Sequence, residues 1–374
     1  MFLDWLSVYQ DFDISLPNIG KHFDITIDAE TGEQLVVRQP LVKQEGSYST
    51  VITIRISGNR IYVKGNPSRY NRIDNLFGFA SVDQCISVYN QVLLSLGLPP
   101  FTKCTKRILK TGSTNGRFNY ISNGAVITEI HITTNKTVGR DNVKDYLKGI
   151  AGQRYRNSIP NLKPNGCTVE WLTEEGNAPL IYASIYDKAH QIGLHHLGKI
   201  KRKFGEDSSE YQYLLKVHQY CLIHGVVRAE QKLKARYLNR ENLQFWGLSD
   251  YSRLELLQDK FLSLDSKLKV TAMDIETLTE TLIREQVCTN TKSANSTALY
   301  AIEWMHGKSF DFNKSQVKTH RARLRRIGID IKQPCDLSKF SPIKVVSARE
   351  VTVSTLQIPD WYIKPAITPL RLVS

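Results

Sequence analysis

The strongest constraint on the fold is the recurrence of short segments in which apolar and polar residues alternate. This alternation predicts strands at 3–9, 22–28, 34–39, 50–57, 60–64, 125–134, 167–172, 180–186 and 226–234. Helical patterns occupy 82–96, 141–150, 188–202 and 208–224. Because strands and helices are interspersed in this way, we predict an α+β fold, with an antiparallel or mixed central sheet and helices on one face.

The 374-residue chain is long enough for more than one core. Residues 1–110 are predicted to form a β-rich N-terminal part, and residues 111–240 the central part of the same sheet-containing region. From residue 241 the pattern changes to helical periodicity, with an extended tail rich in Val, Ile and Pro. We therefore predict that 241–374 is a mostly helical C-terminal domain.

Composition narrows the possible partners and the compartment. The formal net charge is +14 and the isoelectric point is near 9.4, which favours a polyanionic partner, although a generally basic protein without such a ligand has the same signature. No apolar run is long enough to cross a bilayer, and the N-terminus lacks the basic start of a signal peptide. The six cysteines form no C-x-x-C pair, so neither a zinc ribbon nor a disulfide framework is indicated. We expect a cytoplasmic protein.

The segment Ile127–Asn135 (ITEIHITTN) has an unusual polar face. Alternation places Glu129, His131 and Thr133 on one side of the predicted strand. A carboxylate and an imidazole two residues apart can hold one divalent ion between them, and the same pattern also fits a solvated surface strand. This pair on its own leaves both interpretations open.

The segment Leu180–Lys188 (LIYASIYDK) carries a second polar face. Alternation places Tyr182, Ser184, Tyr186 and Lys188 together. An ammonium near a phenol can lower the pKa of that phenol or hold a phosphate beside it. Strand tyrosines are also common packing residues, so this segment is a second hypothesis about chemistry with a structural alternative.

The segment Arg228–Arg236 is strongly basic. One face would carry Glu230 together with four bases, Arg228, Lys232, Lys234 and Arg236. Glu230 could neutralise its neighbours across the sheet, or it could be a third metal ligand within a phosphate-binding surface. A site with oxygen ligands and one imidazole would favour Mg²⁺ or Mn²⁺ over zinc.

Two further helices are predicted near the C-terminus, ending at Gly307 and Gly328. In the second, Val317, Leu324 and Ile327 can be buried, whereas the basic side chains project outward: Lys314, Lys318, Arg321, Arg325 and Arg326. A basic second helix after a turn fits helix-turn-helix DNA recognition. A solvated basic helix is the competing interpretation.

Several segments resemble the replication initiation proteins of filamentous bacteriophages, the family that includes the coliphage gene II proteins and the RstA-type proteins of Vibrio phages. The similarity to the RstA type extends over nearly the whole chain. It rests on GNPSR (65–69), NLFGF (75–79), LLSLGLP (93–99), KVTAMDIE (269–276), ALYAIEWMHG (298–307), THRARLRRIGIDI (319–331) and PDWY (359–362). The coliphage proteins match mainly at the Tyr-x-Lys strand, at 228–238 and at Pro-Asp-Trp-Tyr.

The resemblance implies rolling-circle replication of DNA. Such a protein nicks the plus strand at the origin, becomes joined through a tyrosine to the 5′ phosphate, and later closes the displaced strand into a circle. It implies Tyr186 as the nucleophile assisted by Lys188, with Tyr182 and Tyr155 as the next candidates. It also implies a metal-dependent nuclease in residues 1–240, for which the strand motifs offer Glu129, His131 and Glu230 as ligands of Mg²⁺ or Mn²⁺. Many rolling-circle nucleases use a His-hydrophobic-His strand, from which Glu129-Ile-His131 departs, so either both residues or His131 alone would bind the ion.

The DNA partners expected from the resemblance are the double-stranded phage origin and the displaced single strand. The expected protein partners are the helicase, polymerase and single-strand binding protein of the bacterial host. The protein would act in the cytoplasm of that host. The predicted DNA-binding residues are Arg69, Arg154, Arg156, Arg228, Lys232, Lys234, Arg236, Lys318, Arg321, Arg325 and Arg326. The alternative function is a non-catalytic origin-binding initiator or repressor that recruits host enzymes. An RNA-binding protein has little support because no aromatic RNP-like motif is present.

Overall fold

The computed structural model describes residues 1–20, 24–38, 41–46, 48, 50–109, 120–265, 275–305, 307–334 and 353–366. Its strands are β1 (Phe2–Asp11), β2 (Asp24–Ile27), β3 (Gln34–Arg38), β4 (Val42–Glu45), β5 (Val51–Ser57), β6 (Arg60–Gly65), β7 (Arg107–Leu109), β8 (Tyr120–Ser122), β9 (Val126–Thr137), β10 (Ile159–Leu162), β11 (Thr168–Leu172), β12 (Ile181–Asp187), β13 (Val226–Lys234) and β14 (Ser354–Thr355). Its α-helices are α1 (Val82–Ser95), α2 (Val143–Ile150), α3 (Lys188–Ile192), α4 (Gly198–Phe204), α5 (Ser209–His224), α6 (Ala235–Arg240), α7 (Arg253–Leu262), α8 (Ile275–Arg284), α9 (Thr291–Met305) and α10 (Ser315–Arg326). A short 3₁₀-helix lies at Pro67–Arg69, and a π-helical turn at Gly193–Leu197 joins α3 to α4.

One large antiparallel sheet organises the molecule. Its strand order is β10-β11-β12-β13-β9-β1-β6-β5-β4, and β14 pairs with β9 beyond the end of β1. Two separate ribbons, β2–β3 and β7–β8, lie outside this sheet. The predicted α+β class and the antiparallel sheet are therefore confirmed. The topology sets β9 between β1 and β13, strands that are far apart in the sequence.

The two faces of the sheet differ in chemistry. On one face Ile130 and Ile132 of β9 join an apolar core that includes α1, Leu238 of α6 and Leu257 of α7. The opposite face carries polar side chains, and α3, α4 and α5 cover one end of it by packing around Val226 of β13. Helices therefore lie on both faces, and the expectation that they occupy one face is wrong. Among the described residues, no other helix covers the rest of the polar face.

Helix α1 shows how local sequence fixes an element against this sheet. The Ser81 side chain caps the helix in a capping box with Gln84. Cys85 and Tyr89 are fully buried on its inner face. The Tyr89 hydroxyl donates to the carbonyl of Leu6 and lies 3.0 Å from that of Gly65, so the helix is bonded to β1 and to the end of β6.

The segment after residue 240 contributes to the sheet region. Leu243, Leu254 and Leu257 belong to the core beneath β9, and Phe261 and Leu264 belong to the neighbouring core under β12 and β13. Helices α8 to α10 instead form a separate core around Leu282, Ala298 and Leu324, among others. The described residues 243–264 therefore pack with the sheet region, whereas α8 to α10 have a core of their own.

The C-terminal helices agree with the predicted pattern in part. Val317, Leu324 and Ile327 are buried, as expected. The connection between α9 and α10 spans residues 306–314, however, whereas a helix-turn-helix motif uses a turn of about 3–4 residues. The described structure thus supports a helical C-terminal part with a basic last helix, but the prediction of a helix-turn-helix is wrong.

Some predictions fall outside the described residues. Residues 269–274 of the motif at 269–276 lie outside the described part. The same holds for the start of the predicted strand 22–28, the end of the predicted strand 34–39, His306 and Cys335. The five cysteines in the described part are free thiols. No described helix combines the length and hydropathy needed to span a bilayer.

Candidate active site on the polar face of the sheet

The centre of the polar face is a cluster formed by β9 and β13. The imidazole of His131 lies between two carboxylates, with Nε2 2.8 Å from Glu129 Oε1 and Nδ1 3.1 Å from Glu230 Oε1. Glu230 is opposite Thr133 in the register of the two strands, and His131 is opposite Lys232. Trp5 of β1 stacks on the His131 ring, with ring centroids 5.8 Å apart. The predicted metal residues therefore do lie together.

Charges within this cluster are mutually stabilising. Burial opposes the ionisation of His131, but its bonds to Glu129 and Glu230 outweigh burial and raise the pKa of the imidazole. The hydrogen bond to His131 lowers the pKa of Glu129. Burial also opposes the ionisation of Glu230, yet the bond and charge of His131 hold the pKa of this carboxyl below its ordinary value. Because both imidazole nitrogens face acceptors, the arrangement favours the doubly protonated ring.

Tyr186 joins the cluster from β12. Its hydroxyl donates to Glu230 Oε2 at 3.1 Å, so Glu230 connects the tyrosine to His131. Burial, reinforced by the negative charge of Glu230, raises the pKa of the Tyr186 phenol well above its ordinary value. The phenol is therefore protonated at neutral pH, and the group placed to accept its proton is the Glu230 carboxylate.

The other candidate tyrosines have different partners. Tyr182 donates to Glu170 Oε2 at 2.6 Å, and its ring lies below the ammonium of Lys232. Tyr155 lies in the apolar core on the opposite face and donates to Gln231. Among these three tyrosines, Tyr186 is the one that is hydrogen-bonded to a member of the Glu129–His131–Glu230 cluster.

Lys188 does not continue the strand face as predicted. Strand β12 ends at Asp187, and Lys188 is the first residue of α3. Its side chain is fully buried, and Nζ donates to Asn75 Oδ1 and Gln191 Oε1, each at 2.8 Å. Burial lowers the pKa of Lys188 to about 7.

Arg228 is also inside the structure. Its guanidinium is fully buried, bonded to Asn135 Oδ1 at 2.9 Å and paired with Asp4 at 3.2 Å, and it donates to the carbonyl of Leu76. A side chain with these partners has no surface to offer to DNA. The prediction of Arg228 as a DNA-binding residue is therefore wrong, and its role is to hold β9, β13 and the 74–77 loop together.

Three of the motifs that carried the family resemblance, GNPSR, NLFGF and Pro-Asp-Trp-Tyr, meet around Asp4 and the 74–77 loop. Asp4 accepts from Asn66 of GNPSR and from Asn75 of NLFGF. Tyr362 of the C-terminal Pro-Asp-Trp-Tyr donates to Asp74 Oδ1 at 2.7 Å, beside the same loop. No catalytic pattern in the sequence marks these residues. Asn66, Asn75 and Tyr362 could be found from the sequence only because they lie in motifs that carry the family resemblance.

The cluster offers two carboxylates and one imidazole as candidate ligands of a divalent cation. In the described part of the chain, no group of three or more His, Cys, Asp or Glu side chains is arranged to hold a metal ion. Within this cluster, both nitrogens of His131 face carboxylates. The donor types, two carboxylates and one imidazole, are nevertheless those that Mg²⁺ or Mn²⁺ accepts. The buried Thr133 hydroxyl on this face has no hydrogen-bond partner among the described residues. The residue types therefore suit such an ion, although their arrangement in the described structure does not surround one.

The predicted DNA-binding residues separate by exposure. Lys234, the last residue of β13, and Arg236, which lies in α6 and not on the strand face as predicted, are exposed. Arg156, Lys318, Arg325 and Arg326 are exposed as well. Arg69 is mostly buried, with its guanidinium 3.1 Å from His196 Nδ1. Three others are partly exposed and have carboxylate neighbours: Lys232 near Glu230, and Arg154 and Arg321 near Asp330.

These features define an α+β protein with a tyrosine, two carboxylates and an imidazole bonded on one sheet face, and with a basic helical C-terminal part. The family model for the C-terminal part of the phage replication-associated gene II protein matches residues 282–368. The chain is 50% identical over 316 residues to the replication-associated gene II protein of Escherichia phage If1, which covers 84% of this chain and 98% of that relative. No solved structure matches. The chain belongs to the gene II family of filamentous phage replication-associated proteins, as the sequence motifs predicted.

Proposed function

We propose that this protein initiates rolling-circle replication by nicking the plus strand at the phage origin and later closing the displaced strand. The observation that carries this proposal is the bond from the Tyr186 phenol to Glu230 within a His131-linked acid cluster, in a chain of the gene II protein family. A protonated nucleophile needs a base within hydrogen-bond reach, and Glu230 has that position.

The proposed reaction is a transesterification. The Tyr186 oxygen attacks the scissile phosphorus, its proton passes to Glu230, and the bond between phosphorus and the 3′ oxygen breaks. The leaving oxygen takes up a proton and becomes the free 3′ hydroxyl that a polymerase can extend. An aryl phosphate keeps the energy of the phosphodiester, so the same tyrosine can return the strand to a 3′ hydroxyl without ATP.

A divalent cation, Mg²⁺ or Mn²⁺, would be held by Glu129, His131 and Glu230 and would polarise the phosphate and offset developing negative charge. His131 must then release a proton, because a metal ligand needs a free nitrogen lone pair. Lys188 acts through position rather than contact, since its ammonium holds Asn75 and Gln191.

We further propose that the substrates are the double-stranded phage origin and the displaced single strand in the cytoplasm of a bacterial host. Host helicase, polymerase and single-strand binding protein would act on the nicked product. Two exposed bases, Lys234 at the end of β13 and Arg236 in α6, follow Glu230 and Lys232 along the chain and would contact the strand being cut.

The test compares wild type, Tyr186→Phe and Tyr182→Phe on supercoiled origin DNA with Mg²⁺ or Mn²⁺. We expect Tyr182→Phe to nick and to form a covalent adduct, and Tyr186→Phe to do neither. Trypsin leaves both tyrosines on the peptide 157–188, because Pro164 follows Lys163, so fragment masses must locate the nucleotide. An adduct formed by Tyr186→Phe would refute the assignment. No cleavage by wild type, combined with tight salt-sensitive origin binding, would favour a non-catalytic initiator.

A further inference from the structure

A cavity of about 380 Å³ lies between the sheet region and the C-terminal helices. One wall is the loop 152–156 that follows α2, and the other is the second half of α10 with the residues after it. The cavity is open to solvent, and the Glu129–His131–Glu230 cluster contributes none of its lining. Its two walls come from parts of the chain that have separate cores.

The lining of this cleft is strongly positive. Four arginines line it, Arg154, Arg156, Arg325 and Arg326, and the one carboxylate among the lining residues is Asp330. Asp330 is already paired with Arg321, through two contacts of 2.7 and 3.0 Å, while Arg154 and Arg325 lie 3.7 and 4.0 Å from it. Glu174, outside the lining, lies 3.9 Å from Arg154. Two carboxylates thus face four lining guanidiniums and that of Arg321, which leaves the cleft with excess positive charge.

The two walls are held in place by close packing. Gly328 has φ +91, and a Cβ there would overlap the side chain of Gln153 on the facing wall. The backbone carbonyl of Gln153 accepts a 2.8 Å hydrogen bond from the indole of Trp171, a buried residue of β11. The arginines are therefore presented from backbones whose separation is fixed by contact, which lowers the entropic cost of binding a ligand between them.

One donor in the cleft lacks an acceptor. Arg154 Nε is buried and has no hydrogen-bond partner among the described residues, because Asp330 is too distant for a bond. Arg156 and Arg326 are exposed, and neither has a carboxylate within ion-pair distance in the described part of the chain. Guanidinium groups that line one cavity can bind the oxygens of a phosphate.

We propose that this cleft binds a backbone phosphodiester of the duplex origin, so that the sheet region and the C-terminal helices hold one DNA segment jointly. This proposal rests on the proposed function, which supplies the duplex substrate. A duplex is favoured over a single strand because one wall of the cleft belongs to α10, whose exposed basic surface also carries Lys318. A helix surface of this kind contacts the backbone or the major groove of a duplex.

The experiment uses the full chain with Arg156→Gln and Arg326→Gln combined. Both side chains are exposed and without a carboxylate partner in the described structure, so folding should be retained and is checked by circular dichroism. Binding to the duplex origin and to a plus-strand oligonucleotide is measured between about 50 and 200 mM salt. We expect the duplex affinity to fall about tenfold or more at the low salt concentration, and the slope of log K against log salt to decrease in magnitude by about 0.9, the contribution of one phosphate contact.

Two controls separate the cleft from general charge. Arg284→Gln with Lys292→Gln removes the same charge from exposed positions of α8 and α9 outside the cleft, and should bind the duplex as wild type does. Arg156→Lys with Arg326→Lys keeps the charge and should keep the salt slope. Wild-type duplex affinity in the double Gln variant, or an equal loss of affinity for the single strand, would overturn the proposal. Cleavage of the single-stranded oligonucleotide by Tyr186 is read separately, so its absence would count against the proposed function alone.

Discussion

Replacing the buried Lys188 by Met should change how the stability of this protein depends on pH. The wild-type ammonium is fully buried, and burial lowers its pKa to about 7 from the ordinary value of 10.5. In the interval between these values the unfolded chain binds a proton that the folded chain has released. Wild-type stability therefore rises with pH across this interval, whereas below pH 7 both states are protonated and the contribution is constant.

The size of this effect follows from the shift. A difference of 3.5 pKa units, 10.5 minus 7, corresponds to about 5 kcal/mol at about 1.36 kcal/mol per unit. Over the accessible range from pH 6 to pH 9, the stability of wild type should increase by about 3 kcal/mol relative to Lys188→Met. The variant also removes two donors, leaving Asn75 and Gln191 with unpaired oxygens, but this second effect does not change with pH.

The assay is urea unfolding of wild type and Lys188→Met at pH 6, 7.5 and 9, followed by intrinsic fluorescence in the presence of a reductant. Lys199→Met, an exposed lysine of α4, serves as the control and should differ from wild type by a constant amount. A difference between wild type and Lys188→Met that stays flat from pH 7 to 9 would refute the reasoning. It would mean that Lys188 keeps its charge in the folded protein.

Three other substitutions test single contacts. Tyr362→Phe removes a hydroxyl that is hydrogen-bonded to Asp74 and Arg72. The free energy of unfolding in urea should fall by about 1.5–3 kcal/mol, the usual contribution of hydrogen bonds to charged groups. A decrease under about 0.5 kcal/mol would contradict the contact between the C-terminal segment and the 74–77 loop. Gly225→Ala should cost more than about 2 kcal/mol, because φ is +58 and a Cβ would overlap the carbonyl of Gly139, whereas Gly97→Ala, at φ +70 with open space, should cost about 1 kcal/mol. Glu230→Gln should slow covalent adduct formation by about 10²–10⁴-fold, as measured by quenched-flow gel analysis, and an unchanged rate would exclude Glu230 as the base.

The sequence predicted most elements of the sheet region because their signals are local. The strand predicted at 226–234 coincides with β13, and that at 180–186 lies within one residue of β12. Strands without clear alternation were missed, among them β4, β10 and the two-residue β14, which exist because a neighbouring strand supplies their hydrogen bonds. The helix-turn-helix prediction was wrong because it weighed the charge of the second helix more than the length of the connection.

The candidate site was predicted in its residue types but not in its bonding. Alternation correctly placed Glu129 and His131 on one face, and Glu230 on the polar face of β13. Alternation did not predict which of the side chains on a strand face are exposed to solvent. Arg228 has the same alternation phase as Lys234, yet one is fully buried and the other exposed, because α3, α5 and the 74–77 loop cover only one end of the face.

What the sequence determined by itself is which residues can share a strand face or a helix face, since periodicities of 2 and 3.6 residues are properties of the backbone. It also contained the motifs that identified the family. Only the tertiary structure decided that β9 lies between β1 and β13, and this pairing brings His131, Glu230 and Tyr186 into one bonded cluster. Strand partners are chosen by the packing of both faces at once, a long-range condition that no single segment of the chain encodes.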